Sequence, residues 1–455
     1  MPLKILLMFS AIGNMRRLLK TSGDDNNPLH FLSGFKFFLI SWVVYAHSYI
    51  IIRVEFADNL LSLIDILSQA QSQMITNGTM SVSTFLFLSG FILPFMTCGS
   101  RASMKNKNLF FAYLGGILER YIRITIPALV VMMSAFLLPL LMDGPADYDV
   151  ANQIRNCEER PWVVAAHVNN FMPMHLVCLP HLWYISADMQ IFVAIALPLA
   201  LMFSRYPRLA FPIAWTLAIG FCVFTCVQIH SWDLVYSLTV GTNNLRQSLE
   251  SMEFIYFRPY VHAASYVFGI VTGHFSVKHN TAKISRVTQV AQWLASIGLA
   301  SFVMFITVPW NKGNLPNSIV NVLYGGFHRL LWSIALIWPC YACATGRGGL
   351  LNKFFCWKAF RPLSRLTYSV YLIHIFFFFL RSGNLKTNFE LGEYFQLSVS
   401  MGVFGFALFF GLILHLCVEA PVSHLQKLIF RGSPTPTETT ELKSSCENGE
   451  QKSQL

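Results

Sequence analysis

The chain has 455 residues, of which 54% are hydrophobic, 15% aromatic and only 12% charged. Soluble domains carry roughly twice that share of charge, so this composition, with a mean hydropathy of +0.51, excludes an ordinary water-soluble fold. The net charge of +11 does not point to nucleic acid either, because the basic residues fall in short connections between apolar runs, where membrane helices place them.

Residues 1–30 begin with Lys4 and a short apolar stretch, soon followed by Arg16, Arg17 and Lys20. That pattern predicts a cytosolic, interfacial segment and not a cleaved leader. About ten apolar runs of spanning length follow, each near 20 residues. They are Phe31–Ile52, Ser81–Gly99, Ile124–Met142, Leu182–Phe203, Leu209–His230, Tyr256–Phe275, Val287–Trp310, Ile319–Ala344, Thr367–Leu380 and Phe395–Val418. The expected fold is all-α, a polytopic membrane bundle over 31–430. With the N-terminus in the cytosol, Lys and Arg are biased inward by roughly three to one, which puts both termini there. The tail 431–455, SPTPTETTELKSSCENGEQKSQL at its end, has no apolar periodicity and is expected to be disordered.

Most of the ten cysteines lie in or beside apolar runs and read as small hydrophobes. Cys157 and Cys178 differ. Both fall in the linker 143–181, which this topology places on the oxidising side, and they are expected to pair. Closing a loop of about 20 residues would stabilise by about 3 kcal/mol. Asn77-Gly78-Thr79 is a glycosylation sequon hard against the second span.

The first span holds Lys36 near one end and His47 near the other, eleven positions apart and so on one helical face, about three turns from each other. Ionisable groups inside an apolar span are costly and mark function. Lys36 also suits a plainer role, snorkelling to a lipid headgroup. Asp188, within HLWYISADMQIF, needs a partner, and sharing a cavity with His47 would let the carboxylate orient the imidazole. The plainer alternative is a bond to a neighbouring helix. Arg120 and Arg123 share a helical face at the inner end of the third span, a pattern that fits either a bound phosphate or lipid headgroups. Trp183, Gln190, His262, Arg329 and His374 are candidate polar groups of the same cavity. No metal-ligand spacing is present, and no metal is expected.

These strings, taken together and in order, resemble the membrane acyltransferase-3 family. The resemblance rests on a basic residue then His47 in the first span, Phe85–Phe91, Arg120–Pro127, Trp183–Phe192 and Ser369–His374. It is closer to the animal nose-resistant-to-fluoxetine branch, through the Cys157…Cys178 loop, His328–Trp338, Arg361–His374 and Val418–Pro421. The resemblance implies a ten-helix O-acyltransferase that carries an acyl group from cytosolic acyl-CoA, often acetyl-CoA, to a hydroxyl-bearing or lipid acceptor on the far side. His47 would be the base, Asp188 its orienting partner, and Lys36, Arg120 and Arg123 the donor's phosphate site. Acyl-CoA is then a substrate, with no permanently bound cofactor, in the plasma membrane or endoplasmic reticulum. Three positions depart from the family's pattern: Lys36 stands where it usually has Arg, Ser83 where this branch has Asp, and His262 in place of an Arg. The cysteine-rich extracellular domain common in this branch is expected to be missing. The departures keep open a second class of function, a carrier or binding protein for lipids or small hydrophobes that retains the fold without the chemistry.

Overall fold

The computed structural model describes residues 7–21, 27–98, 108–236 and 245–431. The expected disordered tail lies outside these residues, apart from Arg431. What is described is helix and turn, and among these residues the one strand-like contact is an isolated parallel bridge between Ala57 and Phe389. A short helix α1 (Ala11–Leu19) is capped by Ser10, whose hydroxyl accepts from Gly13 N. Next come α2 (Leu32–Ile50), α3 (Leu60–Ser68), α4 (Thr79–Cys98), α5 (Leu109–Ala135) and α6 (Asp147–Glu159). A π turn, Phe192–Ala196, joins α7 (Trp183–Ile191) to α8 (Leu197–Arg205). The longer helices that follow are α9 (Pro207–Ser231), α10 (Pro259–Lys278), α11 (Arg286–Phe305), α12 (Ser318–Ala344), α13 (Thr367–Gly383), α14 (Glu393–Leu414) and α15 (Ala420–Arg431).

Among the described residues, six helical stretches are long and apolar enough to cross a membrane: Thr79–Thr97, Pro180–Arg205, Pro207–Ser231, Arg286–Asn311, Ser318–Ala344 and Glu393–Phe430. The molecule is therefore a multi-pass membrane protein. The four other expected spans are also helical, as α2, α5, α10 and α13. α2, α5 and α10 fall short on apolarity because they carry the embedded ionisable residues Lys36, His47, Arg120, Arg123 and His262, and α13, which carries His374, is short at 17 residues. α5 starts at Leu109, well before the expected Ile124. Asn108 caps it by accepting from Phe110 N at 3.0 Å, so Arg120 lies three turns inside the helix and not at its end.

α9, α11 and α14 leave most of their apolar surface exposed, as lipid-facing helices do. The centre is α4 against α10. Gly90, Gly269 and Gly273 let the two backbones touch: a Cβ on Gly269 would collide with the Phe87 carbonyl, and one on Gly90 with that of Tyr266. This is small-residue packing, the membrane substitute for a hydrophobic driving force.

The two ends of the bundle differ. At one, α1 lies over the start of α13, with Arg365 donating to the carbonyls of Arg17 and Leu18. Lys36, Arg123 and Arg365 make this the basic end. At the other, the disulfide Cys157–Cys178 and α6 form a cap, tied down by Arg53 to Asp149 at 2.9 Å and Lys386 to Asp143 at 2.6 Å. Asn77, the sequon residue, is buried. Its amide donates to Met304 O at 3.1 Å and Thr307 Oγ1 at 3.0 Å, which leaves no room for a glycan at the sequon.

Candidate active site

A cavity of about 1000 Å³ runs the length of the bundle. Its walls include Lys36, Arg123, Ser364 and Arg365 at the basic end and Arg53, Asp149 and Gln153 at the capped end. Arg365 and Asp149 are themselves exposed, so the cavity reaches solvent-facing side chains at both ends. His47 lies between, and the walls also include His181, Trp183, Tyr184, Tyr368 and Tyr371. Lys36 and His47 face the same space, about 16 Å apart along α2, as their spacing predicts. Two π turns border the cavity, contributing Met252 and Tyr256 from one and His415 and Glu419 from the other. Glu419 is held by Ser369 at 2.7 Å and His415 at 3.0 Å.

The expected contact of His47 with Asp188 is not present. The ring beside His47 is His374 of α13: His47 Nδ1 and His374 Nε2 are 3.1 Å apart, with ring centroids at 5.1 Å. His374 Nδ1 in turn lies 2.7 Å from the Tyr371 carbonyl. His374 is fully buried behind His47 and does not line the cavity.

Asp188 instead takes a charged hydrogen bond from Arg120 at 2.5 Å, with the guanidinium lying 4.3 Å over the Phe192 ring. Neither residue lines the cavity. Their meeting corrects the depth expected for Asp188. The segment 160–182 does not remain at the surface but folds back into the bundle. His167 Nε2 sits 2.8 Å from Thr125 Oγ1, about 15 Å along α5 from Ala135. His181 Nε2 reaches the Leu372 carbonyl at 3.0 Å, near the basic end of α13. α7 therefore begins inside the bundle, and Asp188 lies deeper than a count from the surface gives.

Irregular backbone at such depth persists only where side chains satisfy it. Tyr121 donates to Ala165 O, Gln190 to His167 O, Asn169 to Cys178 O, Arg258 to Asn170 O, and Tyr371 to His181 O. His167 and Leu179 hold φ of 54° and 50°, strained for residues with a Cβ. Gln190 is thus a brace of this segment and is not part of the cavity wall. His262 is buried behind Trp183, with ring centroids 5.5 Å apart, and bonds the Tyr256 carbonyl at 2.7 Å. Arg329 is buried beside Tyr256, its Nε without a partner. Ser83 is buried with its hydroxyl unpartnered.

Sequence reasoning missed His181 and Arg365 as cavity residues. His181 falls at the edge of an apolar run, directly after Pro180, and edge residues read as linker. Arg365 reads as one more inward-side charge. Among the described residues no group of three His, Cys, Asp or Glu side chains is arranged to hold a metal ion.

Comparison with known proteins gives four findings. The chain is 26% identical over 398 residues to Nose resistant to fluoxetine protein 6 of Caenorhabditis elegans, an alignment covering 82% of this chain and 47% of that protein, so it spans about half the relative's length. It is 22% identical over 455 residues to Regulator of hypoxia-inducible factor 1 of the same organism, covering 92% of this chain and 84% of that one. No solved structure matches it. The acyltransferase domain of the acyltransferase-3 type matches residues 29–418, most of the bundle around the cavity, and the chain belongs to that family.

Proposed function

We propose that the chain is an integral-membrane O-acyltransferase that moves an acyl group, foremost acetyl, from acyl-CoA entering at the basic end to a hydroxyl acceptor approaching from the capped end. The observation that supports it is the single cavity that places Lys36 and Arg123 at one end, His47 in the middle and the capped end beyond. Lys36 and Arg123 hold the donor's phosphates, and Arg365 adds a third positive charge there. Arg120, already committed to Asp188, braces the fold. The pantetheine arm runs along α2 to bring the thioester to His47.

His47 takes the proton of the acceptor hydroxyl as its oxygen attacks the thioester carbonyl. The tetrahedral intermediate collapses by breaking the carbon–sulfur bond. The CoA thiolate leaves and recovers the proton from the imidazolium, and the ester remains on the acceptor. In this reading the bundle has ten spans with both termini and the basic end in the cytosol, in the plasma membrane or endoplasmic reticulum. Turnover of acetyl-CoA by purified protein, followed as free CoA thiol, tests it. Release by wild type and its loss in His47→Ala support the enzyme; equal background in both sinks it.

One observation favours the carrier reading. A second cavity of about 570 Å³, lined by Phe35, Trp42, Trp332, Leu336 and Phe355 among others, lies between α2, α4 and α12. Its walls suit a lipid tail or small hydrophobe, and the name of one relative ties that protein to a drug. Saturable binding of a fluorescent fatty acid, unaffected by His47→Ala, would support this second role.

A further inference from the structure

We infer that His374 is a positioning residue that fixes which nitrogen of His47 acts as the base, in place of the carboxylate that usually does this. The inference rests on the acyltransferase reading. A backbone carbonyl can only accept, so His374 Nδ1, 2.7 Å from the Tyr371 carbonyl, carries a hydrogen and donates it. A neutral imidazole with its hydrogen on Nδ1 has a lone pair on Nε2. His374 Nε2 therefore accepts across the 3.1 Å to His47 Nδ1, and His47 donates. This leaves the lone pair of His47 on Nε2, the nitrogen that His374 does not occupy, on a side chain that lines the cavity.

The arrangement also serves the step itself. When His47 Nε2 takes the hydroxyl proton, Nδ1 keeps its hydrogen, and the bond to His374 becomes charge-assisted and stronger. A second carbonyl bond holds the neighbouring ring the same way. His181 Nε2 donates to Leu372 O, so His181 has no spare hydrogen to offer His47 and cannot reverse the order. Asp188, the one carboxylate expected here, is occupied by Arg120. His374 itself is fully buried and touches no substrate.

The test compares His374→Phe with His374→Gln in detergent-purified full-length protein. Phe keeps the ring volume without an acceptor. Gln can donate to Tyr371 O through its amide and accept from His47 through its oxygen. The Phe variant is expected to lose kcat by about 10²- to 10⁴-fold, the range for a misaligned general base, with KM for acetyl-CoA within about twofold of wild type. The Gln variant is expected to recover most of the rate. Full activity in the Phe variant, or equal loss in both, overturns the inference while leaving the enzyme reading intact. Absence of CoA release by wild type overturns both. Should the Phe variant not fold, ¹⁵N NMR of histidine-labelled wild type replaces it, reading the signals lost in His47→Ala. A hydrogen on His47 Nδ1 and a bare Nε2 support the inference, and the reverse tautomer overturns it.

Discussion

Asp188 is buried and pairs with a partly buried Arg120, so removing either leaves an unpaired charge inside the bundle. Asp188→Ala is expected to destabilise by about 3–5 kcal/mol, read as a fall in the melting temperature of purified protein. The double variant Arg120→Met with Asp188→Leu is expected to regain most of that loss; if it melts as low as the single variant, the pair is not the cause. Lys36 belongs to the cavity, so Lys36→Ala is expected to raise KM for acetyl-CoA about tenfold with a smaller change in kcat, as loss of uniform binding does. An unchanged KM would remove Lys36 from the donor site. At this scale the sequence was readable where a charge stood alone in an apolar run, as Lys36 and His47 do. It was not readable for partners. Asp188 could be seen to need one, but choosing between His47 and Arg120 required knowing how far the preceding segment enters the bundle.

The expected helices coincide with the observed ones to within a few residues in most cases, because spanning length and apolarity dictate them. α5 departs most. Its first three turns, LFFAYLGGILE, carry exposed Phe110, Phe111 and Leu118, yet they lie outside the continuous apolar stretch that a span count detects. The contact of α4 with α10 offers a direct probe of packing. Gly269→Val forces a branched side chain onto the Phe87 carbonyl and is expected to abolish monodisperse protein on size-exclusion chromatography. Gly220→Val, where a Cβ meets nothing within 4 Å, should leave the elution profile unchanged. Equal behaviour of the two would deny that the α4–α10 approach matters. The disulfide was legible from compartment reasoning alone. The folded-back segment it anchors was not, since its support comes from scattered side chains on α5, α7 and α13 and from Arg258 ahead of α10, and not from any local signal. Cys178→Ser is expected to cost about 3 kcal/mol of stability, measured against wild type under oxidising conditions.

At the scale of the whole molecule, the proposed topology puts the basic end in the cytosol and the capped end on the far side. Tags on the two termini are expected to be reached by antibody only after the cytosolic side is opened by selective permeabilisation; labelling of either tag on intact cells would reverse the proposed topology. The through-running cavity has a kinetic corollary. Two reactants that approach His47 from opposite directions need not vacate a shared entrance for one another. They can be present together, and the acyl group has no need to rest on the protein between them. Initial rates measured over a grid of both concentrations should then give intersecting double-reciprocal lines, and labelled CoA should not exchange into acetyl-CoA until an alcohol is supplied.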